Sequence, residues 1–379
     1  MFTFLLFIII LSILVSVHEL GHFIAARKSG MRVYEFGIGF PPRAIGVYRD
    51  PVTKKIVWVR NRTSEEFPAT VYSLNWLPLG GFCKIKGENG DEATASDSFS
   101  AQKAWKRIIV LVAGVAMNIL LAAVLFAGGL MIGLPTDVSE GVDERAVLVS
   151  PPSVVVEEVV KGSPAELAGV QFGDKVSAID GQEMKSAADF IDYVSRHPDQ
   201  ELNLTVDRGG SEVDLPPAKP IVLAGGGDMP RLGVRLGDAA IVRYPWYLAI
   251  PKGFAAAGIG LVNIYISFYL LLKNLILGNG LIFDVSGPVG IASVVGASAR
   301  LGLSYLIQVT AMISLSLAAI NILPIPALDG GRALFVIIEK IFRRPVPMRY
   351  EQLAHTIGFV LLIILIVVVT WRDVAGLVR

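Results

Sequence analysis

Long apolar stretches alternate with charged intervals along the chain. From Phe2 to Val17 no side chain is ionisable; His18, Glu19 and His22 then intervene, and the apolar run resumes to Ala26 before Arg27 and Lys28. A helix rising about 1.5 Å per residue crosses a hydrocarbon core of roughly 30 Å over such a length. A secretory signal would need a basic leading region and a small-residue cleavage site. Neither is present, so 1–26 is predicted to form a retained spanning helix. Ile108 to Leu134 is a second apolar stretch, Leu303 to Leu323 a third and Ile357 to Trp371 a fourth. The pattern predicts about four transmembrane helices, within 1–26, 105–134, 303–342 and 354–372. The third is followed in its segment by a short helix, Gly330 to Phe342. One more stretch, Phe254 to Leu277, is long enough to span but holds Asn263 and Lys273.

Between the second and third spans the period changes. Val154 to Val160 is a β-branched run, Gly162-Ser163-Pro164-Ala165 opens a short helix, Val176 to Ile179 reads as a strand, and Asp180-Gly181 is a hairpin turn signal. Ala187 to Arg196 sets Ala188, Ile191 and Val194 near one helical face, and Leu202 to Val206 alternates like a strand. Residues 145–236 are predicted to fold as an inserted α+β domain outside the bilayer. A peptide groove is expected between the Val154 to Val160 strand and the Ala187 to Arg196 helix.

Composition fits a membrane protein: 53% of residues are hydrophobic and 18% charged, against roughly 45–50% and about 25% in soluble domains. Lys plus Arg number 34 and Asp plus Glu 33, so no basic excess points to nucleic acid. Cys83 is the lone cysteine, which excludes an internal disulfide and, with four histidines, a Cys/His zinc finger. Residues 27–107 carry fourteen Lys and Arg against eight acids, while 135–252 carry nineteen acids against eleven Lys and Arg. Cytoplasmic loops retain positive charge. The first loop is therefore expected inside, and the acidic middle region outside.

His18-Glu19-Leu20-Gly21-His22 fits the His-Glu-x-x-His pattern. On a helix, residues i and i+4 share a face, so both imidazoles can reach one zinc ion while Glu19 stands beside the position left for water. An ionisable side chain near the bilayer centre costs roughly 2.5–3.5 kcal/mol. Three within five residues need a partner, which a metal supplies; a polar lining for a transport path is the other reading. Zinc hydrolases hold three protein ligands and leave one position open. His197 lies beside Pro198 in the outer domain, where a surface turn suits it, and His355 opens the fourth span, where it suits the interface. Asp329 is better placed, because Pro324 and Pro326 break the helix just before it. Irregular backbone at membrane depth is tolerated only where it is buried in protein or lines a cavity. There Asp329 can turn to the metal, or it can cap the helix at Gly330.

Taken together, these residues resemble the site-2 protease family of intramembrane zinc metalloproteases, and more closely its bacterial branch that includes the regulator of sigma-E protease. The likeness rests on His-Glu-Leu-Gly-His at 18–22, on Asn-Ile-Leu-Pro-Ile-Pro-Ala-Leu-Asp-Gly-Gly at 321–331, and on a module between them that resembles a bacterial PDZ domain. Further matches are Phe36–Phe40, Pro78–Phe82 and Ser286–Ala292. The resemblance implies Zn2+ held by His18, His22 and Asp329, Glu19 as the catalytic base, and Asn321, Gly80, Gly81 and Phe82 as substrate-binding residues. It also implies a membrane-dipping β-hairpin over about Val71 to Lys86 in the cytoplasmic loop 27–104, whose open strand edge would hold an extended substrate. Glu19 and Asp329 must meet at one depth, so the third span must run in the direction of the first. On that parity, 246–302 is expected to be an extracytoplasmic interfacial or re-entrant segment. Many relatives carry two tandem PDZ domains; one is visible here.

The fold expected is thus a polytopic α-helical membrane protein with an inserted extracytoplasmic PDZ-like α+β domain and a membrane-associated β-hairpin. The function implied is a zinc-dependent endopeptidase of a bacterial inner membrane, with its active site towards the cytoplasm. Its partners would be the lipid bilayer and transmembrane substrates already trimmed by another protease, such as anti-sigma factors or signal-peptide remnants. The alternative is a catalytically idle scaffold that binds peptide ends through its PDZ-like domain; the intact Glu19 argues against it. A metal transporter would carry further intramembrane carboxylates, and Ile108 to Leu134 and Ile357 to Trp371 contain none.

Overall fold

The computed structural model describes residues 2–60, 63–88, 94–139, 141–160, 162–222, 229–278, 286–344 and 346–378. Helix α1 (Phe2–Lys28) leads into strands β1 (Val33–Arg49), β2 (Ile56–Val59) and β3 (Val71–Ile85), a sheet of order β2-β1-β3. The expected hairpin is in fact one bent strand of this larger sheet. Ile38 is registered with both Gly81 and Leu74, so residues 35–38 run between the two halves of β3. Within β1, the buried side chains of Glu35 and Arg43 pair with each other. Ser12 of α1 holds β3 in place: its hydroxyl donates to the Pro78 carbonyl at 2.7 Å and accepts from the Gly80 amide at 3.2 Å. Trp58, Leu74, Trp76 and Leu77 leave the sheet with an exposed apolar surface.

Helix α2 (Ala104–Ile132) runs antiparallel to α1. At one end Lys106 donates to the Ser29 carbonyl at 2.8 Å. At the level of the histidines the two backbones nearly touch: a Cβ on Gly21 would stand 2.3 Å from the Ala113 carbonyl oxygen. Only a residue without a side chain fits there.

Strands β4 (Leu134–Asp137), β5 (Val147–Leu148) and β6 (Ser153–Val159), helix α3 (Pro164–Leu167), strands β7 (Lys175–Ile179) and β8 (Gln182–Glu183), helix α4 (Ala187–Arg196), and strands β9 (Leu204–Arg208), β10 (Ser211–Asp214) and β11 (Val234–Arg243) build the PDZ-like domain. Its main sheet has the order β10-β9-β7-β6-β11-β4, over a core that includes Val154, Val156, Ile179, Phe190, Leu202 and Leu232. Asp180 and Gly181, at φ 48° and 80°, make the expected tight turn between β7 and β8. The expected groove is displaced. Strand β6 pairs with β7 on one side and β11 on the other, so it has no free edge. The open edge near α4 belongs to residues 234–237 of β11, and the Asp238 carboxylate next to it accepts from the Ala187 amide at 2.7 Å. The reason is long-range: β11 inserts beside β6 from about 75 residues downstream, a pairing that local alternation does not encode.

Helices α5 (Trp246–Ile276), α6 (Pro288–Leu301), α7 (Leu303–Asn321), α8 (Asp329–Phe342) and α9 (Met348–Val378) complete the chain. Among the described residues five helices, α1, α2, α5, α7 and α9, are long and apolar enough to cross a membrane, where about four were expected. The difference is α5, a single uninterrupted helix of 31 residues with no re-entrant break. Its small residues let it lie close on its neighbours, with Gly253 against the backbone of Ala127, while Asn263 and Lys273 stay on the exposed side. Residues 279–285 of the expected 246–302 segment lie outside the described residues. Helix α6 packs on the start of α1, Thr3 against Gly296, and its Leu301 meets Gly173 of the PDZ-like domain. Helix α7 sets out from this end, and its Leu317 and Asn321 share a cavity with Val15 and His18. Helix α7 therefore runs alongside α1 in the same direction.

Gly21→Ala should wedge α1 from α2 beside the histidines, at a cost of about 1–3 kcal/mol for overpacking. The melting temperature in detergent and the bound metal should fall together; an unchanged melting curve would show that this contact does not set the helix spacing.

Candidate metal centre

One turn of α1 separates His18 from His22, and both imidazoles point to the same side, 78° apart in plane with centroids at 4.7 Å. The carboxylate of Asp329 arrives from a sequence distance of 311 residues. Its Oδ2 lies 2.9 Å from His18 Nε2 and 3.3 Å from His22 Nε2, and the two Nε2 atoms are 3.1 Å apart. Asp329 is the first residue of α8, but its side chain faces the imidazoles, and the cap position, Leu328, supplies no side-chain hydrogen bond. The turn before α8 is compact: a Cβ on Gly330 would stand 2.1 Å from the Ile322 carbonyl oxygen. Within it Ala327 sits at φ 78°, a region that costs a non-glycine residue roughly 1–2 kcal/mol.

Helix α2 supports the imidazoles from behind. His22 Nδ1 donates to the Val110 carbonyl at 2.8 Å, leaving its Nε2 lone pair for the shared point. His18 Nδ1 lies 3.4 Å from the side-chain amide of Asn118, which is fully buried and whose Oδ1 has no partner. The oxygen and nitrogen of an amide are interchangeable in position. Turning the Asn118 amide gives His18 an acceptor for its Nδ1 proton and Oδ1 a donor at once. Gly114, one turn before Asn118, leaves room for both rings, since a Cβ there would stand 2.5 Å from His22 Nε2.

Two imidazole lone pairs and a carboxylate oxygen that face one another at about 3 Å repel unless a cation lies among them. The three separations, 2.9–3.3 Å, approach the roughly 3.3 Å edge of a tetrahedron with zinc–ligand bonds of about 2.0–2.1 Å. The donor set therefore fits zinc.

Glu19 lies between two cavities. One, of 270 Å³, is lined by Glu19, His22, Gly81, Phe82, Asp329 and Arg332 among others; the other, of 250 Å³, by Glu19, His18, Asn118, Asn321 and Asp329 among others. Cys83 lines the first cavity beside Glu19, and Arg332 pairs with Glu88 at its border. Of the expected substrate-binding residues, Gly81 and Phe82 face the first cavity and Asn321 the second. Gly80 faces neither; at φ 78° it makes the turn that sets Gly81 against α1. Sequence reasoning missed Gly114, Asn118 and His355. Asn118 had a visible signal, being the one polar side chain from Ile108 to Leu134. His355, whose Nδ1 accepts from the Ala327 amide at 2.8 Å, had none, because its partner is fixed only when the turn folds.

A His-Glu-x-x-His helix whose two imidazoles face a third, carboxylate group, with a second carboxylate beside them, has the make-up of the zinc metalloprotease class. The chain belongs to Peptidase family M50, whose model matches residues 6–365; this is the site-2 protease family that the motifs resemble. A Clostridium perfringens protein provisionally named a zinc metalloprotease is 34% identical over 365 residues, covering 96% of both chains. A similarly named protein of Agrobacterium fabrum is 32% identical over 395 residues, 98% of this chain and 95% of that one. The solved PDZ domain of an SdrC-like protein from Listeria monocytogenes matches at 25% identity and TM-score 0.21, over 24% of this chain and 93% of that one. The protein is thus a metalloendopeptidase with zinc as its cofactor.

Asp329→Ala should leave two protein donors and strip most of the zinc during purification. Asn118→Ala, which removes only the support behind His18, should weaken metal retention by roughly 10–100-fold. Elemental analysis and chelator titration check both; full occupancy in Asp329→Ala would remove this carboxylate from the centre.

Proposed function

We propose that this metalloendopeptidase hydrolyses peptide bonds of transmembrane proteins within the bilayer, with His18, His22 and Asp329 as the zinc ligands and Glu19 as the catalytic base. The carrying observation is the position of Glu19, inside a helix long enough to span the membrane and between two cavities, with the edge strand β3 alongside. Zinc, when bound, acidifies a water and polarises the scissile carbonyl. Glu19 accepts the water's proton and passes it to the leaving nitrogen. A substrate helix must unwind first, since its amides are bonded internally. Residues 81–85 of β3 offer an extended segment backbone partners, and Asn321 reaches the substrate from the second cavity.

Loop charge supports a bacterial inner-membrane protein whose 27–107 region is cytoplasmic and whose PDZ-like domain is extracytoplasmic. The exposed Trp58, Leu74, Trp76 and Leu77 of the β1–β3 sheet suit insertion into the inner leaflet. In this reading the substrates are membrane proteins already shortened on the outer side by another protease, such as anti-sigma factors or signal-peptide remnants, and the single PDZ-like domain controls their access.

Glu19→Gln should keep zinc and fold but lose cleavage of a model transmembrane substrate by roughly 10²–10⁴-fold. Near-normal cleavage at equal expression sinks the mechanism. Separately, a cysteine placed at Thr53 should be shielded from an impermeant thiol reagent on intact cells while one at Gly210 is labelled; the reverse pattern refutes the orientation.

A further inference from the structure

We propose that His355 of α9 is the positioning residue of the metal-holding turn: its imidazole locks Ala327 in a left-handed conformation and so sets the direction in which Asp329 presents its carboxylate. This rests on the reading of Asp329 as a zinc ligand.

The turn between α7 and α8 is tied mostly by bonds to itself. Ile325 donates to the Leu323 carbonyl at 2.7 Å, Leu328 to that of Ile325 at 3.2 Å, and Arg332 to that of Leu328 at 3.2 Å. The amide of Ala327 joins none of these. It donates instead to His355 Nδ1, 2.8 Å away on α9. Ala327 is also the strained member, at φ 78° without being glycine. It lies two residues before Asp329 and lines both cavities around Glu19. A rotation about its φ would swing the start of α8, and the carboxylate with it.

The histidine is built for this bond. As an acceptor at Nδ1 it carries its proton on Nε2, and that nitrogen is buried with no hydrogen-bond partner, 3.9 Å from the nearest oxygen of Glu351. A buried ring nitrogen without a partner is costly, so the bond to the Ala327 amide is the directional contact that this half-buried imidazole makes. Phe335 of α8 packs on the ring at 5.7 Å. Three residues further along α9, Gly358 allows the turn to approach, since a Cβ there would stand 2.4 Å from the Pro326 carbonyl oxygen. Helix α9 thus closes on the turn at two points, one by contact and one by a directional bond.

The test uses the full-length protein in detergent or nanodiscs, with zinc retention against a chelator and kcat and KM on a model transmembrane substrate as readouts. His355→Leu, which keeps bulk and removes the acceptor, should lower kcat and zinc retention by at least about 10-fold with KM little changed. In His355→Asn the side-chain oxygen can stand where Nδ1 stood, and both readouts should stay within about threefold of wild type. Adding Ala327→Gly to His355→Leu should restore much of the loss, because glycine holds φ near +78° without strain. Wild-type behaviour of His355→Leu overturns the proposal. So does equal damage by Leu and Asn, or failure of Ala327→Gly to restore activity. If His355→Leu does not accumulate, recovery of folded protein by Ala327→Gly supports the proposal, and its absence overturns it. Full zinc in Asp329→Ala would instead defeat the ligand assignment on which the proposal rests.

Discussion

Three donor atoms that carry or share negative charge must sit about 3 Å apart inside a bundle of apolar helices, and the rest of the architecture answers to that demand. A buried charge without a partner is one of the costliest features a protein can hold. In the proposed centre the cost is met by convergence on a cation and by directional support for the donors. Val110 holds one imidazole, Asn118 the other, and the broken helix before Asp329 gives the carboxylate an approach that a straight helix would deny it. The glycines at 21 and 114 follow from the same demand, since α2 can support the rings only by lying almost in backbone contact with α1.

A centre enclosed this tightly would be inert without access. The two cavities that meet at Glu19 provide it from different sides, one bordered by β3 and the Glu88–Arg332 pair and the other by Asn321. β3 is joined to α1 through Ser12, and its Cys83 lines the first cavity together with Glu19, so the edge strand and the proposed base share one frame. That coupling favours hydrolysis of an extended segment over transport through a polar path, which needs no strand edge.

The PDZ-like domain is sewn into the same frame. β4 leaves α2 after a single glycine, β11 runs almost directly into α5, and the two strands pair with each other from Ala239 to Val242. The Tyr244 amide also donates to the Leu130 carbonyl at 2.8 Å. A strand pair thus anchors the domain to the ends of two helices of the bundle.

Much of this was legible in the sequence, for reasons of chemistry and period. Sixteen residues without an ionisable side chain before His18 specify a helix wherever they are placed, i and i+4 spacing puts two imidazoles on one face, and two prolines break α7 before Asp329 regardless of what surrounds them. These are local constraints, written in dihedral preferences and side-chain type. The tertiary structure decided what depends on pairing across long separations. It made the expected hairpin one strand of a wider sheet, placed the open edge of the PDZ-like domain on β11, and packed α5 as a full-length helix on a Gly- and Ala-lined face that Asn263 and Lys273 had obscured. It also gave Asn118 and His355 their roles, because a side chain that acts by holding another residue in place has no meaning until that residue arrives, and both arrive from segments that sequence distance keeps apart.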